Sequence, residues 1–250
     1  MKWRLLPMME LNGAMQMAID EAILTARARH KVPNTIRFYT WKPSCVTIGY
    51  FQSAQQEVDL EKAKQAGVDV VRRYTGGGAV LHDNEVTYSI VLTESDVPSN
   101  IIDSYKKLCL PIVYALRLLG LKAEFAPIND ILVSGRKISG NAQTRKQGVV
   151  LQHGTLLLKV DIAKMFSLLK VPNEKLRDKV IERASARVTS LEQELGRSVA
   201  VDEVIAALEK GFTAVLGISL ERGKLTRFES ELAKRLAREK YATKEWSFMR

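Results

Sequence analysis

The stretch NDILVSGRKISGNAQTRKQGVVLQHGTLLLKV, residues 129–160, constrains the fold most. It holds three strand-like runs joined by Gly-containing turns, the pattern of an antiparallel meander. Upstream, EVTYSIVLT alternates Val86, Tyr88, Ile90 and Leu92 with Thr87, Ser89, Val91 and Thr93, which predicts a half-buried strand. TIRFYTW and CVTIGYF, separated only by KPS, read as paired strands, and VDVVRRYT as a further one. Helices interrupt these runs. Met15, Ala18, Ile19, Ala22, Ile23 and Ala26 recur at helical spacing, VDLEKAKQAG reads as a helix ended by Gly67, and Leu108, Ile112, Ala115, Leu116 and Leu119 form a stripe ending at Gly120. Pro111 should kink that last helix or mark its first turn. From Asp161 onward the chain is mostly helical, with Thr226 and Glu229 at capping-box spacing. The fold class expected is α/β (α+β) with a mixed sheet. Without an internal repeat or a Pro/Gly/Ser linker, residues 1–250 are expected to form a single domain.

Composition narrows the setting. The 250 residues are 46% hydrophobic and 26% charged, an ordinary globular balance. No apolar run approaches the roughly 20 residues that span a bilayer, and the N-terminus shows no cleavage site, so no membrane role is expected. Cys45 and Cys109 have no metal-like spacing and fit a reducing cytoplasm. The net charge of +10 invites a nucleic-acid reading. The basic residues, however, are interleaved with acids in EKLRDKVIERASAR and ELAKRLAREKY, as on solvated helix faces. No nucleic-acid partner is expected.

Three places could carry chemistry. RRYTGGGAVLHD, residues 72–83, sets three glycines between strand-like runs. It matches neither the P-loop nor the dinucleotide fingerprint. Its backbone N–H groups, with Arg72 and Arg73, could hold an anion, or it could be a flexible connector. Lys137 lies between Gly135 and Gly140, where a tight turn is expected, and would be either a solvated hairpin tip or a functional cation. Asn129 and Asp130 offer oxygen ligands of the kind Mg²⁺ takes beside phosphates. His153 in QHGTLLL reads as a core histidine or a site residue, and its spacing to His82 and His30 suggests no zinc helix. Together these parts suit chemistry at a nucleotide phosphate.

RRYTGGGAVLHD, NDILVSGRKISGNAQTR and LQHGTLLL, in this order, resemble the lipoate–protein ligase A family. The likeness extends to MAIDEAIL, IRFYTWKPSCVTIGYFQ and KYATKEW, essentially the whole chain. It implies a largely antiparallel sheet flanked by helices, as in biotin ligases and class II aminoacyl-tRNA synthetase-like folds. It implies an enzyme that joins lipoate to AMP from ATP and passes the lipoyl group to a lysine of an acidic lipoyl-domain acceptor. By the resemblance, Arg73, Gly78, Ala79, Val80, Leu81 and Lys137 bind ATP, and Lys137 is the catalytic cation. Gly77, His82, His153 and Lys137 contact lipoate, and Asp130 with Asn129 sits by Mg²⁺. The charge of +10 suits an acidic acceptor.

Two departures bear on this. Longer members carry a C-terminal accessory domain, expected to be absent here and supplied, if at all, by a separate subunit. The related octanoyl transferases share the GRK…AQTR…LQHG stretch but use a cysteine carried just before it, where EFAPINDILVSGRK has none. The ligase is therefore the expected activity. The alternatives are an octanoyltransferase fed by an acyl carrier protein and a non-catalytic subunit that binds lipoate or lipoyl-AMP.

Overall fold

The structure, a computed structural model, describes residues 1–171 and 177–250. Strands β1 (Lys2–Leu5) and β2 (Met9–Leu11) precede helix α1 (Gly13–Ala28). Then follow β3 (Thr35–Trp41), β4 (Cys45–Ile48), α2 (Ala54–Glu57), α3 (Leu60–Gln65), β5 (Asp69–Arg72), β6 (Val80–His82) and β7 (Glu85–Thr93). Helix α4 (Ile101–Leu118) leads into β8 (Ala123–Ala126), β9 (Asp130–Val133), β10 (Arg136–Lys146) and β11 (Val149–Leu157). The chain closes with α5 (Ile162–Leu168), α6 (Arg177–Arg187), α7 (Leu191–Leu195), α8 (Val201–Leu216), β12 (Ser219–Arg222), α9 (Arg227–Leu236) and α10 (Lys244–Ser247). The start of the basic stretch EKLRDKVIERASAR falls outside the described residues.

A nine-stranded sheet runs β12-β1-β3-β7-β11-β10-β9-β8, with β2 added on β3. It is mixed: β1 pairs parallel with β12 and β3, and β2 with β3, whereas every pairing from β3 to β8 is antiparallel. A separate three-stranded sheet runs β5-β4-β6. Apolar residues of α4 and α8 cover one face of the large sheet, where Ile36, Phe38, Tyr88 and Ile90 meet Leu108, Ile112, Leu208 and Phe212. Helices α1 and α9 cover the other, against Tyr39, Trp41, Val91 and Leu151. Among the described residues no helix is long and apolar enough to cross a membrane.

The local signals act as their chemistry dictates. The Asn12 side chain accepts from Met15 N and starts α1, and Asn100 does the same for α4. Gly67 and Gly120 follow α3 and α4 at φ +64° and +92°. The Thr226–Glu229 capping box is present. Pro111 lies inside α4 rather than in its first turn.

Three expectations are corrected. β3 and β4 do not pair; they belong to different sheets, each finding longer-range partners. β7 is buried on both faces up to its last residue, because α1 packs over the polar side that carries Thr87 and Ser89. β12, inside the helical third, pairs with β1. Alternation reports which residues share a face, not whether another layer lies over the polar one.

Candidate active site

A cavity of about 320 Å³ is lined by residues of both sheets. β3 contributes Tyr39 and Trp41, β4 Thr47, and the glycine loop with β6 contributes Arg73 and residues 77–82. β10 contributes Lys137, Ser139 and residues 140–142, and β11 His153 and Gly154. Of the residues singled out in the sequence, Arg73, Gly77, Gly78, Ala79, Val80, Leu81, His82, Asn129, Lys137 and His153 thus come together around one space. Asp130 is not on the wall, but its carboxylate lies 2.7 Å from Lys137 Nζ.

Lys137 is not in the turn. Ser134 and Gly135, at φ +52° and +74°, form the β9–β10 turn, and Lys137 stands on β10 opposite Leu132. The register shifts between Lys137 and Ser139, which re-aims the strand at this point. The stem of Lys137 lies over Gly140, where an added Cβ would come within 2.9 Å of its Cε and Nζ. Ser139, also on the wall, is 1% exposed and its hydroxyl has no partner among the described residues.

The glycine loop is held from beneath. Arg73 donates through Nη2 to the carbonyls of Gly76 (2.6 Å) and Gly78 (2.8 Å), and through Nη1 to Thr47. Burial lowers its guanidinium to about 10. Arg72, fully buried, donates to the carbonyls of Gly49, Tyr50, Gln52, Trp246 and Ser247. Both arginines thus spend donors inside the protein, Arg72 on backbone carbonyls and Arg73 on backbone carbonyls and the hydroxyls of Thr47 and Thr75. Gly77 has φ +95°, and a Cβ there would meet Arg73 Nη2 at 2.7 Å. Across from it, a Cβ on Gly49 would stand 2.0 Å from Gly77 O. The loop needs glycine at these positions to fit its own scaffold.

Two histidines sit in matched settings. His153 Nδ1 is 3.0 Å from Asp20 Oδ2 and its Nε2 is 2.7 Å from Thr75 Oγ1. His82 Nδ1 is 2.7 Å from Glu85 Oε1 and its Nε2 is 2.8 Å from Thr47 Oγ1. His82 also stacks on Trp41, ring centroids 4.1 Å apart. Burial pushes the His153 imidazole below its usual range, with Asp20 opposing. For Asp20, burial works upward but Arg37 and His153 outweigh it, so its carboxyl stays below the usual carboxylate range.

These shifts set a pH dependence. Between its lowered folded value and the free value of about 6.5, His153 binds its proton only when the chain unfolds, so the unfolded state gains protons and stability falls as pH falls. Asp20 adds in the same direction at lower pH: its contribution is present above about 3.8 and lost as its folded value is crossed. Thermal unfolding from about pH 7.5 to about pH 5.5 is expected to show a falling melting temperature, with at most about 1.4 kcal/mol per pH unit from His153. A level profile across that window would mean that His153 is not held neutral.

Neither thiol reaches the cavity wall. Cys45 and Cys109 are both fully buried in the apolar layers, and burial holds the Cys45 thiol well above its usual range and raises Cys109 to about 12. For a cation, Asp130 offers one carboxylate and Asn129 a side-chain amide already bonded to Asn141 O. That donor set fits Mg²⁺ taken up together with phosphate oxygens, not a cage made by the protein alone. Sequence reading missed Tyr39, Trp41, Thr47 and Asn141. Asn141 lies inside the SGNAQTR motif, and Tyr39 and Trp41 share one face of a strand by their spacing of two.

The profile of the "Lipoyl protein ligase A/B catalytic domain" family matches residues 12–213. The octanoyltransferase LipM of Brevibacillus brevis is 38% identical over 274 residues, covering 100% of this chain and 99% of that protein. Since this chain has 250 residues, that relative carries segments absent here. The bi-partite lipoate protein ligase of Thermoplasma acidophilum, solved in a study with its E2 lipoyl domain, is 35% identical with a TM-score of 0.90, covering 99% of this chain and 96% of that one. A lipoate-protein ligase A bound with ATP is 34% identical with a TM-score of 0.86, covering 99% of each chain. By name, the curated relatives back the octanoyltransferase alternative better than the ATP-dependent ligase expected above.

Proposed function

Because the chain belongs to the lipoyl protein ligase A/B catalytic domain family, we propose that it joins an octanoyl- or lipoyl-sized acyl group to a lysine of a lipoyl-domain acceptor. The observation that carries the choice of chemistry is the position of the thiols. Cys45 and Cys109 are both 0% exposed, and neither lines the cavity that holds Lys137. Attack by an enzyme cysteine needs an accessible thiolate. Activation on a phosphate needs instead a fixed cation beside the reacting oxygens, which Lys137 supplies.

In this reading the lipoate carboxylate oxygen attacks the α-phosphorus of ATP, pyrophosphate leaves, and Lys137 stabilises charge on the oxygens around phosphorus. The acceptor ε-amine then attacks the acyl carbon, the C–O bond to phosphate breaks, and AMP departs with the electron pair. Mg²⁺, when bound, would neutralise phosphate charge, with Asp130 and Asn129 as the protein's ligands. The similarity to the bi-partite ligase and to the ATP-bound ligase supports this route. Residues 1–250 would act as the catalytic unit, in the cytoplasm. The net charge of +10 would speed encounter with an acidic acceptor.

A second reading, octanoyl transfer from a carrier thioester, is favoured by the names of the curated relatives. It would require the acceptor lysine to attack the thioester directly or a thiol from outside the cavity. The two separate by the acceptor's mass. The chain is incubated with an acidic lipoyl domain and either lipoate with Mg-ATP or an octanoyl carrier protein. A gain of one lipoyl group only with ATP, kept within a few-fold by the Cys45→Ala/Cys109→Ala variant, is expected. Octanoylation without ATP, lost on removing the thiols, would replace the ligase with the transferase.

A further inference from the structure

The two histidine settings converge on one residue. Thr75 Oγ1, bonded to His153 Nε2, also accepts from Arg73 Nε at 3.2 Å. Thr47 Oγ1, bonded to His82 Nε2, also accepts from Arg73 Nη1 at 3.2 Å. Both threonines are buried, and among the described residues each hydroxyl has these two side-chain partners alone apart from the guanidinium's second contacts. The directions follow from what each group can do. A guanidinium only donates, so each threonine oxygen accepts from Arg73 and has its one proton left for histidine Nε2. Each Nε2 is then an acceptor, so each imidazole is neutral with its proton on Nδ1. That proton points to a carboxylate, which only accepts. Thr87, whose hydroxyl takes Trp41 Nε1–H and gives its proton to Glu85 Oε1, fixes the acceptor role of Glu85 independently.

We propose that Asp20–His153–Thr75 and Glu85–His82–Thr47 are two one-way hydrogen-bond relays that orient Arg73, and through it the glycine loop on the cavity wall. Thr47 and Thr75 are positioning residues. They fix the plane of the guanidinium, whose other N–H groups hold the carbonyls of Gly76 and Gly78. The ligand-binding consequence rests on the acyl-transfer reading above; the relays themselves do not. Protonation of either imidazole would turn Nε2 from acceptor to donor and leave a buried threonine proton without an acceptor. The charged groups facing His153 are Asp20, with Arg37 behind it, and Arg73; Glu85 faces His82, and the two imidazoles lie within electrostatic reach of each other.

The test is side-chain nitrogen NMR on the chain labelled with ¹⁵N. Only three histidines are present, and His30 is exposed and serves as the internal reference. At neutral pH, His82 and His153 are expected to show the Nδ1–H tautomer. An Nε2–H tautomer or an imidazolium at either position overturns that relay. Positioning is read from the backbone amides of Gly76, Gly77 and Gly78. These should shift in Thr47→Val and Thr75→Val and return in Thr75→Ser. Shifts confined to the residues next to the substituted threonine, with the amides of Gly77 and Gly78 unmoved, overturn the positioning role. Titration with lipoate should show about a tenfold weaker Kd in Thr75→Val and wild-type binding in Thr75→Ser. If the wild type binds neither lipoate nor octanoate while the tautomers and loop shifts come out as expected, the acyl-transfer reading fails and the relays stand.

Discussion

Lys137→Ala is expected to lower acyl transfer by about 10²–10³-fold, the cost of removing one preorganised charge from a transition state. The melting temperature should barely move. The Lys137 side chain is 41% exposed, and its pairing with Asp130 at 2.7 Å, with a partner 34% exposed, is the half-solvated kind that contributes at most about 1 kcal/mol. Its backbone is held separately, since Lys137 O accepts from Thr189 N at 2.8 Å. The measurement is pyrophosphate release alongside acceptor mass, with a thermal melt on the same preparation. Normal turnover in a folded variant would take the reaction away from this lysine. Lys137→Arg should restore little. The lysine is packed against Gly140 as a compact charge, and a planar fork neither fits that contact nor places its charge at the same point.

Arg72→Ala should be the most destabilising of the substitutions at the glycine loop, by about 3–5 kcal/mol. Its guanidinium ties β5 to the segment 49–52 and to the C-terminal helix, donating to five backbone carbonyls. Trp246 Nε1 returns the contact by donating to Arg72 O at 2.9 Å. Truncation leaves those carbonyls facing a void that the surrounding backbone cannot close. Denaturant unfolding would read the loss directly, and activity should fall with it, because Gly49 in the same segment abuts Gly77 of the loop. A loss below about 1 kcal/mol would show that water takes the guanidinium's place at little cost.

The site was legible in the sequence where a motif gathers unusual residues in one short stretch. The glycine run, the lysine between glycines and the Asn-Asp pair all proved to border one cavity or to touch a residue that does. What those residues do to one another was not legible. Arg72 and Arg73 left an anion site and a solvated connector both open, because two arginines beside glycines carry charge and donors; whether those donors are free depends on which carbonyls the loop folds back over them. His153 and His82 gave no spacing signal. Their partners, Asp20 and Glu85, are reached across 133 residues in one case and three in the other. No local pattern distinguishes a relay histidine from a solvated one.

The same division holds for the fold. The meander from residue 130 to 157, the capping box at Thr226 and the helix ends at Gly67 and Gly120 were settled by sequence alone, because each depends on hydrogen bonds and backbone angles within a few residues. Tertiary structure alone decided that β3 and β4 part into different sheets, that β12 returns to β1 across more than 200 residues, and that Lys137 leaves the turn for the cavity. Each of those outcomes is a choice among partners that local propensity leaves equal. The choice is made by which arrangement buries both faces of the central strands while pairing their backbone groups.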